Sequence, residues 1–413
     1  MTLNYNCLYR HTICWSLFFV PALLLSTPNF SVIAIVISIF ASIGYLLLNK
    51  RAMKLNNFDK AVVLTLSCYF LGAIPVALAD GTTTRYFQGG ARLLLCIPIY
   101  LSCRYYLSRA TFSLREYLEY GVIIGSLLAL LLALYQHFIL KMARVDGFLF
   151  SINFGFLACS LGFLALTLSF SSNRRIWLSL AFGMCLVSIA LTLTRGAMFA
   201  VPLLLVVCAI VYIKKVSIKL VTLGAIAFIV SSFLVYNYID VVKNRIDTTI
   251  QEFSYIASGN IELSVSAGER LQYWFGATEA FKESPFYGLT YAEREQVNHH
   301  LFLSGEMGER ASKVSRGHAH SQYFEMLASN GLLGIFSLFA VFIAPFYIFY
   351  RHYLKTGTDF SAVAAVFVLG FAIFGLTEVP LTANLLGSFY GFMLAIFFAI
   401  VASEKGKNLD RSE

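Results

Sequence analysis

The chain has 413 residues, of which 58% are apolar and only 13% charged, with a formal net charge of +9. A soluble globular domain carries about a quarter charged residues, so this composition excludes a soluble enzyme and places the chain in lipid. The positive charge is not a nucleic-acid footprint, because no basic face with interleaved aromatics occurs in a polar segment.

Apolar runs of about 20 residues cross a bilayer as helices, since only a helix or a closed barrel satisfies its backbone there. About twelve such spans are predicted in chain order, at 11–27, 30–48, 61–79, 91–107, 118–138, 148–170, 176–193, 196–213, 217–237, 331–350, 361–380 and 386–402. The first, fourth and eighth carry Pro21, Pro98 and Pro202, which soften their ends. No cleavable signal peptide is expected, because the first run lacks a small-residue cleavage site and a second follows at once. The predicted fold is an all-α integral membrane protein with one large helical loop. Its parts are spans one to nine over 1–237, a loop domain over 238–320, and spans ten to twelve with a tail over 321–413.

Lys and Arg placement orients the spans. With the N-terminus inside, the inside segments hold Arg10, Lys50, Arg51, Lys54, Lys60, Arg104, Arg109, Arg115, Arg174, Arg175, Lys214, Lys215, Lys219, Arg351, Lys355, Lys405, Lys407 and Arg411. The short outside loops hold Arg85, Arg92, Lys141, Arg144 and Arg195. Both termini are therefore expected inside and the long loop outside. All eight Cys lie in or beside apolar runs, which argues against a disulfide framework in the loop.

Residues 238–320 hold half of the Asp and Glu and four of the seven His. Over 238–257, Val241, Val242, Ile246, Ile250, Phe253 and Ile256 recur near a 3.6 period, which predicts an amphipathic helix against the membrane or the bundle. A second helix is predicted at 267–283, ended by Ser284-Pro285. Residues 288–318 read as irregular loop, and a third helix is expected from Ala319 into span ten.

The outer arginines run against the orientation bias. Arg195 sits in so short a connection that it lies at the membrane surface or slightly within it, where an ionisable residue is a functional candidate; the alternative is a side chain snorkelling to lipid phosphate. Arg144 is two residues from Asp146 and would either pair with it or face a ligand. Arg85 and Arg92 suit phosphate contact or lipid anchoring. Arg270 opens the second loop helix, where a cation opposes the dipole by a few tenths of a kcal/mol; a pair with Glu269 is its structural alternative. Guanidinium is permanently charged and forked, which suits a diphosphate. His320 can take a proton near neutral pH, with Ser321 and Gln322 beside it as candidate orienting groups. His318 next to it raises the question of a metal, but no carboxylate stands at helical spacing, so no metal is expected. His299 and His300 read as exposed. Glu378, near the end of span eleven, would pair with an arginine of the site or hydrogen-bond within the bundle.

On these residues the chain resembles the bacterial O-antigen ligases, within the wider family of O-antigen ligases and polymerases. His320-Ser321, nine residues, Gly331, two residues and Gly334 fit the ligase His-Gly-Gly pattern. Arg195 before Gly196 fits the family's arginine at the start of a span, with Phe199 in place of its usual Leu. Arg270, Trp274, Pro285 and Gly288 fit an Arg-x-x-x-Trp followed by Pro-x-x-Gly. Arg144 and Gly147 fit an outer Arg-x-x-Gly more loosely.

The resemblance implies transfer of O-polysaccharide from undecaprenyl diphosphate to lipid A-core, for lipopolysaccharide, at the periplasmic face of the bacterial inner membrane. It implies catalytic roles for His320, Arg195 and Arg270; Arg144, Arg85, Arg92, His318 and Gln322 are the candidates for binding substrate. It also implies inversion at the anomeric carbon, with no metal or other cofactor and no nucleic acid; the partners are the two lipid-linked substrates and membrane lipid. An O-antigen polymerase using the same donor is the nearest alternative, though polymerases commonly carry two large outer loops. A polyprenyl-linked glycan transporter would show internal repeats and charges near mid-bilayer, whereas here the charges gather at one surface.

Overall fold

A computed structural model describes residues 2–109, 113–215, 217–238 and 240–409. The inside anchor Arg411, and the side chains of Val241, Lys405 and Lys407, lie outside the described set. Every regular element among the described residues is helical, and a helix covers each apolar run. Among the described residues, seven helical stretches are long and apolar enough to cross a membrane: Phe30–Leu48, Asn57–Asp80, Arg115–Ile139, Ser151–Ser169, Arg175–Thr192, Gln322–Thr356 and Asn384–Glu404. Arg195–Val211 and Asp359–Phe374 are shorter apolar helices. The fourth run is split into Gln88–Leu94 and Ile97–Leu107, with Pro98 in the first turn of the second piece, where a missing N–H leaves no bond unmade. Pro21 and Pro202 lie inside their helices.

Burial sorts the helices. Asn384–Glu404 is 94% enclosed over its apolar window and Ser151–Ser169 78%, against 33–44% for the other five. These two are apolar on all sides because they face protein on all sides; the rest turn one face to lipid.

The connections fall into two sets. In one, Arg104 pairs with Asp59 at 2.8 Å and reaches the Ala52 and Lys54 carbonyls, Arg115 and Arg174 share Glu119, and Lys215 pairs with Asp359 at 2.6 Å. In the other, the Tyr291 N–H donates to Tyr86, Arg92 donates to the Thr382 carbonyl, Arg144 donates to the Thr192 carbonyl, and Arg195 pairs with Glu252. The first set joins segments that the charge bias places inside; the second joins those it places outside.

The polar insertion holds the helices Asp240–Ala257 and Ala267–Glu283, near the expected bounds. Two further helices, Tyr291–Leu303 and Glu309–Ser312, replace the expected irregular loop. The first of them has almost no apolar period, but Thr290 and Glu293 form a complete capping box at its start. The third expected helix begins at Gln322 rather than Ala319. In Asp240–Ala257, Val242 and Glu252 are buried, while Ile250 and Phe253 are exposed. The expected apolar stripe therefore does not pack fully on the bundle, and one carboxylate turns inward instead.

The glycines of the two motifs meet. Gly331 interrupts its helix with φ 57° and ψ −141°, a conformation essentially reserved for glycine. The break frees the Leu332 and Leu333 N–H groups to donate to the Pro285 and Phe286 carbonyls, and the Leu289 N–H donates to Ala328. A Cβ on Gly331 would stand 2.5 Å from the Pro285 oxygen, and one on Gly288 2.2 Å from the Ser329 carbonyl carbon. The Pro-x-x-Gly segment thus docks on the kinked helix by backbone contact, and the insertion is fastened to the bundle there.

Candidate functional site

His320 stands in a short turn that several elements fix. Its backbone is left-handed, with φ +46°, a conformation costing a non-glycine residue about 1–3 kcal/mol. The turn is clamped at Ala319, whose N–H donates to Glu325 at 2.8 Å and whose carbonyl accepts from the Trp274 indole at 3.0 Å. Trp274 also stacks on Phe324. Glu325 is itself held by a bidentate pair with Arg294, at 2.7 and 3.1 Å. The start of the Gln322 helix is tied to the 375–378 turn, since the Gln322 N–H donates to the carbonyls of Gly375 and Glu378.

That tie brings Glu378 to the histidines rather than to an arginine. His320 Nδ1 lies 3.1 Å from Glu378 Oε2, and Oε1 accepts from the Val379 N–H. A carboxylate accepts only, so Nδ1 of His320 donates in this bond, and in the neutral imidazole Nε2 is then the nitrogen with the lone pair. The carboxylate missing at helical spacing is thus supplied from 58 residues away. His318 Nδ1 is 3.5 Å from the same carboxylate but accepts the His320 backbone N–H at 3.2 Å, which fits its neutral form. Burial lowers the His318 pKa from its ordinary value, with nearby Glu378 opposing the shift. One ligand atom from each of His318, His320 and Glu378 falls within 4.8 Å of the others, so this trio is where a metal would bind if any did.

A cavity of about 620 Å³ opens in front of the histidines. Arg85, Arg144, Arg316, Tyr291, His318, His320 and Glu378 supply its polar wall, and Phe150, Ile152, Val379 and Ala383 its apolar wall. Arg195 and Arg270 are not on that wall. They belong to an adjoining cluster with Arg245 and Glu252. Leu193, left-handed at φ +51°, ends one helix, and Thr194 bonds the Ser151 carbonyl, so Arg195 opens the next helix after two residues. Its fork grips Glu252 at 2.7 and 3.1 Å. Burial works against the charge on Glu252, but Arg195 and the Ala267 N–H outweigh it and lower the Glu252 pKa. Among the described residues, Arg270 has no hydrogen-bond or ion-pair partner. Glu269 pairs instead with Arg310. The Arg270 pKa is lowered by burial, against the pull of Glu378. The Arg245 pKa is lowered by burial and then by Arg195 and Arg144, and its buried Nε has no partner. Through Arg144 and Glu378 the cluster adjoins the cavity.

The remaining expectations fare differently. Arg144 does not pair with Asp146, which accepts from Gln136. Arg92 is spent on Asn384 and the Thr382 carbonyl. Gln322 is fully buried, its amide donating to Tyr69 and accepting from the Leu381 N–H; it positions the turn and does not face the cavity. Ser321 donates to the Gly375 carbonyl, so it too orients backbone and not imidazole. Glu252, Arg245, Glu325, Arg294 and Arg316 escaped the sequence reading. The Glu325 contacts had a local signal, an acid in the first turn of a helix after a polar turn; the others depend on tertiary register.

Residues 180–340 match the O-antigen ligase family, a span holding Arg195, Arg270, Trp274, Pro285, Gly288, His320, Gly331 and Gly334 but neither Arg144 nor Glu378. The chain is 23% identical over 396 residues to an uncharacterized protein of Haemophilus influenzae, covering 93% of this chain and 96% of that one. It is 27% identical over 167 residues to the O-antigen ligase of Escherichia coli, covering 40% of this chain and 38% of that one. The family match spans the motif residues that build the His320 turn and its arginine cluster, so over residues 180–340 this integral membrane helical protein is similar to the O-antigen ligase family.

Proposed function

We propose that the protein is a membrane glycosyltransferase that moves an O-polysaccharide from undecaprenyl diphosphate to the lipid A-core, by direct inverting displacement without a metal. The observation that carries this reading is the His320–Glu378 pair facing a cavity beside unpaired arginines. Glu378 holds the Nδ1 proton, leaving Nε2 of His320 as the base for the acceptor hydroxyl. Arg270 and Arg245, with Arg195 once it exchanges Glu252 for phosphate, bind the diphosphate and stabilise its charge as it leaves. The apolar wall at Phe150 and Ile152 suits the polyprenyl end of the donor. The topology that goes with this reading has about twelve spans, both termini in the cytoplasm, and 238–320 as a periplasmic domain. The sorting of connections into two sets with opposite Lys and Arg content supports it.

The test is transfer in vitro with purified protein, lipid-linked donor and lipid A-core in chelator. Wild type is expected to transfer. His320→Ala and Arg270→Ala should lose transfer while keeping the wild-type elution profile. Chelator-sensitive transfer would overturn the metal-free step, and donor that lengthens without modified acceptor would move the assignment to a polymerase.

A further inference from the structure

The cavity carries basic groups of its own, apart from the adjoining arginine cluster assigned to the diphosphate. Arg85 and Arg316 both line it and both are exposed. Among the described residues neither guanidinium has a hydrogen-bond or ion-pair partner. Neither is among the charges acting on Arg245 or Arg270; instead, both act on Tyr291. Tyr291 stacks on Tyr86 at 4.6 Å between ring centroids, and Arg85 lies over the Tyr291 ring at 5.9 Å. The acids nearby are already engaged. Asp80 accepts from Thr82 and Tyr86, Glu295 accepts from Ser315 and the Arg316 N–H, and Glu325 is held by Arg294. The Arg316 backbone is left-handed at φ +47°, and its N–H donates to Glu295 at 2.7 Å, which holds the backbone in that conformation at some cost in strain.

Resting on the functional reading above, we propose that Arg85, Arg316 and the Tyr86–Tyr291 pair form a separate site for an anionic sugar, the phosphate- or carboxylate-bearing part of the acceptor. Free guanidinium groups beside an aromatic face match a charged pyranose. The forks take the acidic group, and the negative π face of the aromatic pair takes the C–H face of the sugar. The donor diphosphate keeps to the adjoining Arg195–Arg245–Arg270 cluster, so the two substrates are held by different cations, with His320 on the cavity wall.

The experiment uses the full-length protein in detergent, with saturating donor and varied acceptor, for wild type, Arg85→Gln, Arg316→Gln and Arg316→Lys. Losing one charge-assisted contact should raise the acceptor KM about tenfold, with the donor KM unmoved and Arg316→Lys in between. Acceptor stripped of phosphate, or with its carboxylates reduced, should erase the difference between wild type and variant in the arm that supplies the recognised group. An unchanged acceptor KM, or a rise in the donor KM instead, overturns the proposal. Binding of glucose 6-phosphate and glucuronate against glucose, measured on wild type and Arg316→Gln without donor, gives a readout that does not need transfer. Preference of wild type for an acidic sugar, weakened in the variant, supports the site even if the function were wrong; no preference refutes it even if transfer occurs.

Discussion

Replacing Glu378 by Gln isolates what the buried carboxylate does for His320. The substitution keeps shape and removes the charge that accepts the Nδ1 proton at 3.1 Å. A hydrogen bond to a charged partner contributes about 1.5–3 kcal/mol. In the proposed reaction that charge supports the imidazolium formed as the acceptor proton moves, so the loss is expected to fall on the transition state. At about 1.4 kcal/mol per factor of ten, kcat should drop by about 10- to 150-fold. A Gln amide can also donate to Nδ1, which would shift the proton to Nε2 and disable the base in that fraction of molecules. The assay is steady-state transfer at pH 7 with both substrates varied. The expected signature is a fallen kcat with the donor KM held, and Glu378→Asp recovering part of the rate. Wild-type kcat in Glu378→Gln, or a loss confined to donor KM, would refute the dyad.

Other outcomes test the supports. Gly331→Ala forces a Cβ to within 2.5 Å of the Pro285 oxygen at a glycine-only conformation; strain of about 1–3 kcal/mol or more is expected. It should read as a lower melting temperature in detergent and weaker transfer, and an unchanged melting curve would contradict the docking role. His318 has a folded pKa below its unfolded value of about 6.5. Its contribution to stability is therefore complete above that value and is lost as pH falls below it. His318→Gln should flatten the stability profile on the acid side of pH 6.5, and an identical acid limb in the variant would count against the burial.

Much of the scaffold was legible because lipid enforces it. Apolar runs of span length became helices, and the Lys and Arg bias separated the connections as the contacts do. The turn carrying His320 was visible through its motif, but its conformation was not. Nothing local announces a left-handed histidine held by Trp274 and Glu325. Glu378 was legible as a membrane-edge acid that would meet an arginine or hydrogen-bond within the bundle, but His320 as its partner was not, since which residue it meets depends on the register of segments 58 residues apart. Glu252 was invisible for the opposite reason. A helix with an apolar stripe announces a face for the membrane or the bundle; Ile250 and Phe253 are exposed and it is the acid that packs against Arg195. Tyr291–Leu303 was lost to its own polarity, although its capping box was there to be read. Gln322 looked like a ligand because it adjoins His320, but it is buried and its amide oxygen accepts the Leu381 N–H.

The bidentate grip of Arg195 on Glu252 makes entry of an anion there a swap of one tethered acid for another. A chloride or a lone carboxylate would gain little by evicting a neighbour that the chain already holds in place. A ligand with negative oxygens on two linked centres differs, because while one centre trades with Glu252 the other can reach guanidinium groups that no acid has claimed. Arg195 by itself would then be a poor magnet and a good filter, rejecting small monovalent ions from a strongly basic pocket without any steric door.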